Sequence, residues 1–475
     1  MKCRFLLMGT AVLATLLLVT ALNMSNIRAQ ETPEQPAPPQ AAELATTPPA
    51  PEQPTSPPPA PETPAEPAPT PAAAPTEQAA SMSQPPQVSE VVPKIPTPAK
   101  GFDFSPSMQF LAYNTYSQLA ATQGDANFCF SPQLLAKQLT ALRFGADGAT
   151  ASEILDVFPA KFPVPQTSEF LRLVEANAAK LPDKVNVSQQ PPTFGSANAI
   201  WVPQDHPIIE QYISGAKAGL ATELYAADFK NNRNIAATTV NAWVRDKTGG
   251  RLMSVFAEPY EVSLPGDISL VATGLVCASP RLAVPFHSKL SETGEFQLAS
   301  GEKISVPMMR QVGQFYGAYD NNLQVLVMPC VEENLRFVIL QPAPGRLATL
   351  EKAMTPQFLT QWFARLQPMT LDLVMPKLQT TSCLDLADTA KQLGMSTIAS
   401  DKADFSNMSQ AVEKGPLQLS KLMHETQFQL VEQAEAVQQP PQTQSRFYVN
   451  RPFVYLIWDA KDKVPLVIGR VTDPR

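Results

Sequence analysis

Apolar positions along residues 101–475 recur with two periods, one helical and one strand-like. Ser131 and Pro132 open the clearest helix, the serine as N-cap and the proline in the first turn, where its missing N–H is not needed. Leu134, Leu135, Leu139 and Leu142 then share one helical face, and Gly145 can end it. Thr150 with Glu153 predicts a capping box for a second helix. Further helices are predicted around 208–218, over 234–247 with Val240, Trp243 and Val244 on one face, over 350–366, and over 384–393 closed by Gly394. Strand-like runs fill 198–202, 270–286, 323–340, 371–378, 453–458 and 464–471. From Glu432 to Arg446 there is no apolar periodicity. Helices and strands mix without a regular βαβ alternation, which predicts one large α+β domain over 101–475.

The first hundred residues follow neither period. Lys2 and Arg4 precede an apolar run from Phe5 to Leu22, and Ile27-Arg28-Ala29 follows, as in a secretory signal peptide over residues 1–30. The run is long enough for an uncleaved membrane anchor to be the alternative. Cys3 lies before the run and no cysteine follows it closely, so a lipoprotein-type acylation site is not expected. Residues 31–100 carry 22 of the 49 prolines. Too few large apolar side chains remain there to offset the entropy of ordering, and proline favours extended chain, so a disordered spacer is expected.

The net charge of −7, without a cluster of lysine and arginine, argues against nucleic-acid or heparin-type partners. Cys129, Cys277, Cys330 and Cys383 sit in or beside apolar runs and show no disulfide framework, so buried free thiols are expected. His206, His287 and His424 lack metal-ligand spacing. The chain has no G-x-S-x-G elbow, P-loop, H-E-x-x-H or G-x-G-x-x-G. His424 would be the natural base of a hydrolase, whose triad partners need not be neighbours in sequence.

Several pieces in fixed order resemble the serpin family: Asn127-Phe-Cys-Phe-Ser131-Pro132; Asp228-Phe229; Val240-Asn241-Ala-Trp243-Val244; Thr248-Gly-Gly250-Arg251-Leu252; Val306-Pro307-Met308-Met309; Met375-Pro376-Lys377-Leu378; Leu393-Gly394-Met395; Ala403-Asp404-Phe405-Ser406; Leu419-Ser420-Lys421 with His424; Pro452-Phe453; and Gly469-Arg470-Val471. The resemblance is to a secreted or anchored member of bacterial type. It implies three β-sheets with eight or nine helices and an exposed reactive-centre loop. It also implies inhibition of a serine or cysteine endopeptidase without metal, cofactor or catalytic residue, by a monomer touching membrane only through its N-terminal segment. A non-inhibitory serpin, acting as an extracytoplasmic binding or structural module, is the other class it allows.

In that family a serine and a histidine form a shutter beneath a central sheet, here Ser131 and His424. The family's neighbouring asparagine aligns with Gly274, and its tryptophan before Pro285-Phe286 aligns with Leu282. His424 is therefore expected to lack one polar partner, at about 1–3 kcal/mol unless another group replaces it. The polar segment aligns with the reactive-centre loop. Glu432 takes the hinge-glutamate position, Ala434 and Ala436 suit a hinge, and Pro440, Pro441 and Gln442 follow. Proline supplies no ladder N–H, and the segment falls about seven residues short of the family's, or roughly 23 Å at ~3.3 Å per residue. Counting back from Pro452 sets the cut near Pro441-Gln442, counting forward from Glu432 sets it near Tyr448, and Arg446-Phe447 is the one basic site. Arg446 reads better as a solvated residue at a strand start than as the cut site.

Overall fold

A computed structural model describes residues 103–158, 194–264, 266–433 and 445–475, all within one compact unit, Val88–Arg475. Residues 1–102, which include the expected signal segment (1–30) and spacer (31–100), lie outside the described residues. So do Ala434, Ala436, Pro440, Pro441 and Gln442.

Among the described residues there are nine α-helices: α1 (Ser105–Thr122), α2 (Pro132–Gly145), α3 (Gly148–Asp156), α4 (Glu210–Leu220), α5 (Arg233–Thr248), α6 (Tyr260–Ser263), α7 (Leu347–Ala353), α8 (Pro356–Phe363) and α9 (Ala387–Gln392). The strands are β1 (Phe128–Phe130), β2 (Phe194–Pro203), β3 (Thr222–Ala227), β4 (Leu270–Ala278), β5 (Glu292–Gln297), β6 (Lys303–Tyr319), β7 (Leu323–Pro329), β8 (Leu335–Pro342), β9 (Gln367–Pro376), β10 (Gln379–Asp385), β11 (Leu419–Gln429), β12 (Arg446–Tyr448), β13 (Phe453–Asp459) and β14 (Val464–Val471).

Five strands form one mixed sheet in the order β10-β11-β4-β2-β3. Its centre is a parallel pair: β4 runs beside β11, with His424 opposite Gly274. Every residue of β4 is buried because both faces of the sheet are covered. Leu270, Ala272 and Val276 enter the main core, whereas Val271, Leu275 and Cys277 join a second core with Trp201, Val240, Trp243 and Val244 under α5. The alternation is strand-like, but both halves are apolar, so the sequence shows an unbroken run.

The other nine strands are continuous, in the order β1-β14-β13-β8-β7-β6-β9-β12 with β5 on β6. Two portions of this layer meet at β6, whose 17 residues reach β5 and β9 along most of their length and β7 at the far end. Helix α2 lies beneath the five-stranded sheet and is buried nearly all round, including Gln133, Lys137, Gln138 and Thr140. Ser131 caps it as expected, its hydroxyl accepting from the Leu134 N–H at 3.2 Å.

Candidate functional site: the β4–β11 seam and the chain that leaves it

The side chains of Leu422, His424 and Phe428 point from β11 toward the main core, and Ser131 starts the helix packed there. His424 is fully buried. The Ser131 backbone N–H donates to His424 Nε2 at 3.0 Å, which makes Nε2 the acceptor and places the ring proton on Nδ1. Nδ1 lies 3.0 Å from Gln138 Oε1, and Gln138 Nε2 donates to the Met423 carbonyl at 3.0 Å. Burial pushes the imidazole down to about 3, so it stays neutral at ordinary pH.

Gln138 is the partner that sequence reading left open. Its place depends on Gly274. A Cβ there would lie 2.8 Å from Gln138 Cδ and 2.9 Å from Leu134 Cδ2. The glycine leaves room that the glutamine fills from the helix side. Leu282, at the aligned tryptophan position, is buried and forms a bridge with Cys330.

Beyond β11 the chain is fastened once more before it leaves the described residues. Glu432 accepts a hydrogen bond from the Ser291 hydroxyl and pairs with Lys377 at 2.7 Å. The Gln433 N–H donates to the Phe286 carbonyl at 2.8 Å, and the Gln433 carbonyl accepts from the Ser288 N–H at 3.1 Å. The description resumes at Ser445, whose carbonyl accepts from the Asp372 N–H at 2.9 Å. Arg446 and Phe447 stand in β12, an edge strand parallel to β9. Asp372 is buried between two arginines, bidentate to Arg310 at 2.7 and 2.9 Å and bound to Arg446 Nε at 2.7 Å. Burial works to raise its pKa, but the hydrogen bonds and charges of Arg310 and Arg446 outweigh it and hold the carboxylate low. Arg446 also donates to the Tyr448 hydroxyl at 2.9 Å. It is thus a strand residue with its charge engaged.

Cys129, Cys277 and Cys330 are buried free thiols, each pushed up to about 12 chiefly by burial. Cys383 departs from expectation in being exposed, at the edge of the second core, where its thiol donates to the Val255 carbonyl at 3.6 Å. Among the described residues no group of His, Cys, Asp or Glu could hold a metal ion, and no helix is long and apolar enough to cross a membrane. A groove of about 840 Å³ runs between α1 and α8, lined by Phe110, Tyr113, Asn114, Met354 and Gln357 among others.

The resemblance implied an α+β fold of three β-sheets with eight or nine helices; the described residues hold nine helices, one five-stranded sheet and a continuous nine-stranded layer. The family model described as "Serpin (serine protease inhibitor)" matches residues 106–474. The chain belongs to the serpin family. It is 25% identical to an uncharacterized serpin-like protein of Methanosarcina mazei over 79% of this chain and 88% of that one. It is 24% identical to alpha-1-antitrypsin of Sus scrofa over 78% and 87%. The crystal structure of human thyroxine-binding globulin complexed with thyroxine has a similar fold, with a TM-score of 0.69 at 23% identity, covering 78% of this chain and 98% of that one.

Proposed function

We propose that this protein is an exported endopeptidase inhibitor that offers the segment between Gln433 and Ser445 to a serine or cysteine endopeptidase. The observation that carries this reading is the direct pairing of β4 with β11, which leaves no strand between them, together with the anchored exit at Glu432 and Gln433. Such a segment is bait tethered at both ends. Gln433, Glu435, Gln438 and Gln439 suit solvent better than a core, and Pro440 and Pro441 cannot supply ladder N–H groups. Inhibition therefore proceeds by occupying the protease, and full insertion of the segment is not part of it. The reaction belongs to the protease, so this protein needs no metal or cofactor. His424 is sealed beneath the sheet and serves no substrate as a base. Export rests on the basic start and apolar run at 2–22, with membrane contact confined to that segment; the protein acts as a monomer.

The test mixes the purified protein with a panel of serine and cysteine endopeptidases. At least one should be slowed reversibly, with no complex surviving SDS. Unchanged activity of every protease would overturn the reading.

The groove between α1 and α8 supports a second reading, a binding module. Phe110 is exposed there, and the buried Tyr113 hydroxyl has no hydrogen-bond partner. An aromatic ligand with an acceptor would satisfy both. Thyroxine is the first probe, since the human relative is named for binding it. Quenching of tyrosine and tryptophan fluorescence that Tyr113→Phe weakens would favour this reading.

A further inference from the structure

We propose that the cavity between the end of α1, the turn joining β5 to β6 and the start of α7 binds a small organic monocarboxylate, and that Arg451 takes its charge. The site is separate from the segment offered to a protease, and it shares only Glu351 with the groove between α1 and α8.

The cavity has a volume of about 470 Å³. Its apolar walls come from Ala120 on α1, Leu298 in the turn, Leu347 on α7, and Pro342 and Pro452 at the ends of β8 and β13. Two arginines also reach the lining. Arg470 is buried and committed: Nη1 pairs with Glu351 Oε1 at 3.0 Å, Nε donates to the Ala126 carbonyl at 3.0 Å, and Nη2 donates to the Gly124 carbonyl. The Phe128 ring lies 4.7 Å from its guanidinium carbon. Glu351 Oε1 accepts from the Tyr116 hydroxyl as well, at 3.0 Å.

Arg451 differs. It is half-buried, and among the described residues none of its partners is charged. Nε donates to the Pro342 carbonyl at 2.7 Å, whereas Nη1 to Asn450 Oδ1 and Nη2 to Gln324 Oε1 are long, at 3.4 Å each. The Gln341 amide, turned to suit its neighbours, claims Gln324 Oε1 more closely, at 3.0 Å. The short Nε bond and the backbone restriction from Pro452 hold the side chain, while both terminal nitrogens keep N–H groups to give. Burial lowers the guanidinium pKa, as expected for a charge without a counter-charge. Taking a charge out of water unpaired is costly, and a guanidinium meets a carboxylate with two parallel N–H bonds. Asp125, the remaining acid on the lining, is exposed.

These features select the ligand. One uncompensated cation matches one negative charge, so a phosphate dianion is poorly matched. Leu298, Leu347 and Pro452 suit an apolar body, and a cavity of this size lies toward the lower end of small-molecule sites, which fits a short chain or a single ring.

Isothermal titration of the full chain with octanoate and 4-phenylbutyrate, each beside its neutral amide, tests the site. The acids should bind about tenfold tighter than their amides. Arg451→Gln should abolish that difference, and Arg451→Lys, which keeps the charge without the fork, should reduce it. Ala348→Trp, at an exposed lining position, should block acid and amide alike with the melting temperature little changed. Tyr113→Phe should leave every affinity as it was.

Equal affinity of the parent for acid and amide would overturn the proposal, as would undiminished acid binding by a folded Arg451→Gln protein. Should that variant not fold, an unreduced preference in Arg451→Lys, or undiminished binding by Ala348→Trp, would do the same. Loss of acid binding in Tyr113→Phe would move the site to the groove between α1 and α8. No binding of any probe at millimolar concentration would also overturn it. None of these outcomes depends on protease inhibition.

Discussion

On the opposite face of β11 from His424, Glu425 carries a carboxyl group into the second core. It is buried, its Oε2 has no hydrogen-bond partner, and burial pushes its pKa up to about 8. Cys383 lies opposite it on β10, and Cys277 and Arg251 contribute to the same environment. The folded state therefore holds a proton that the unfolded chain releases near pH 4.3. Because the folded state binds more protons, stability falls as pH rises from about 4.3 to about 8, and the cost is complete above that. Glu425→Gln should remove this slope and stabilise the protein at pH 8.5 by on the order of 3 kcal/mol. Urea melts at pH 5 and 8.5 on both proteins would check it; equal slopes would refute it. Ser131 was legible as a cap before proline, whereas its pairing with His424 followed only from the family resemblance. Gln138 was not legible. Its spacing, four residues after Leu134 and four before Leu142, puts it within the apolar face, and a glutamine there was a signal for a buried polar partner that the apolar pattern alone passed over.

Packing also decides which elements the pattern could define. Thr150 and Glu153 have capping-box spacing, yet α3 begins at Gly148, and those side chains serve the neighbouring turn instead. Thr150 Oγ1 accepts from the Asp404 N–H at 3.0 Å, and Glu153 accepts from the Thr397 N–H at 2.7 Å. The run 350–366 divides into α7 and α8 because Pro356 starts a new helix capped by Thr355. The helix expected over 384–393 contracts to α9, since Leu384 and Asp385 finish β10. Strand β12 has three residues, too few to show alternation; Phe447 packs against the main core, and Asp372 holds Arg446. Asp372→Asn should therefore loosen it. We expect a loss of about 2 kcal/mol, because both guanidinium partners lose their carboxylate. The Arg446–Phe447 bond should also become trypsin-sensitive, whereas the parent resists cutting there. Because the folded pKa lies below the unfolded one, the carboxylate's contribution is present above about pH 4 and fades as pH falls through the lower folded value. Digestion followed by mass spectrometry reads the cut. An uncut variant would show that backbone pairing with β9 suffices.

At the scale of the molecule, the question is whether the closed sheet is a resting state with more stability to gain. A strand entering between β4 and β11 must cover the nine residues of β4, about 30 Å at ~3.3 Å per residue. The chain leaves the sheet at Gln433, so Pro440 and Pro441 are the seventh and eighth residues to enter, inside the span that must be filled. In a central strand each proline forfeits a ladder hydrogen bond, and the polar side chains before them would face a core on one side. Insertion should stall after about six residues, before most of the apolar seam is covered. Limited cleavage with elastase, which favours small residues such as Ala436 and Val437, releases the segment without disturbing Arg446. The melting temperature should then rise by no more than a few degrees. Replacing Pro440 and Pro441 with alanine and threonine should let the cut chain enter further and raise the melting temperature of the cleaved form well above that of the intact one. A rise of tens of degrees in the cleaved parent, or a covalent protease complex, would show that the prolines do not stop the strand and that the closed sheet stores the energy of a full insertion.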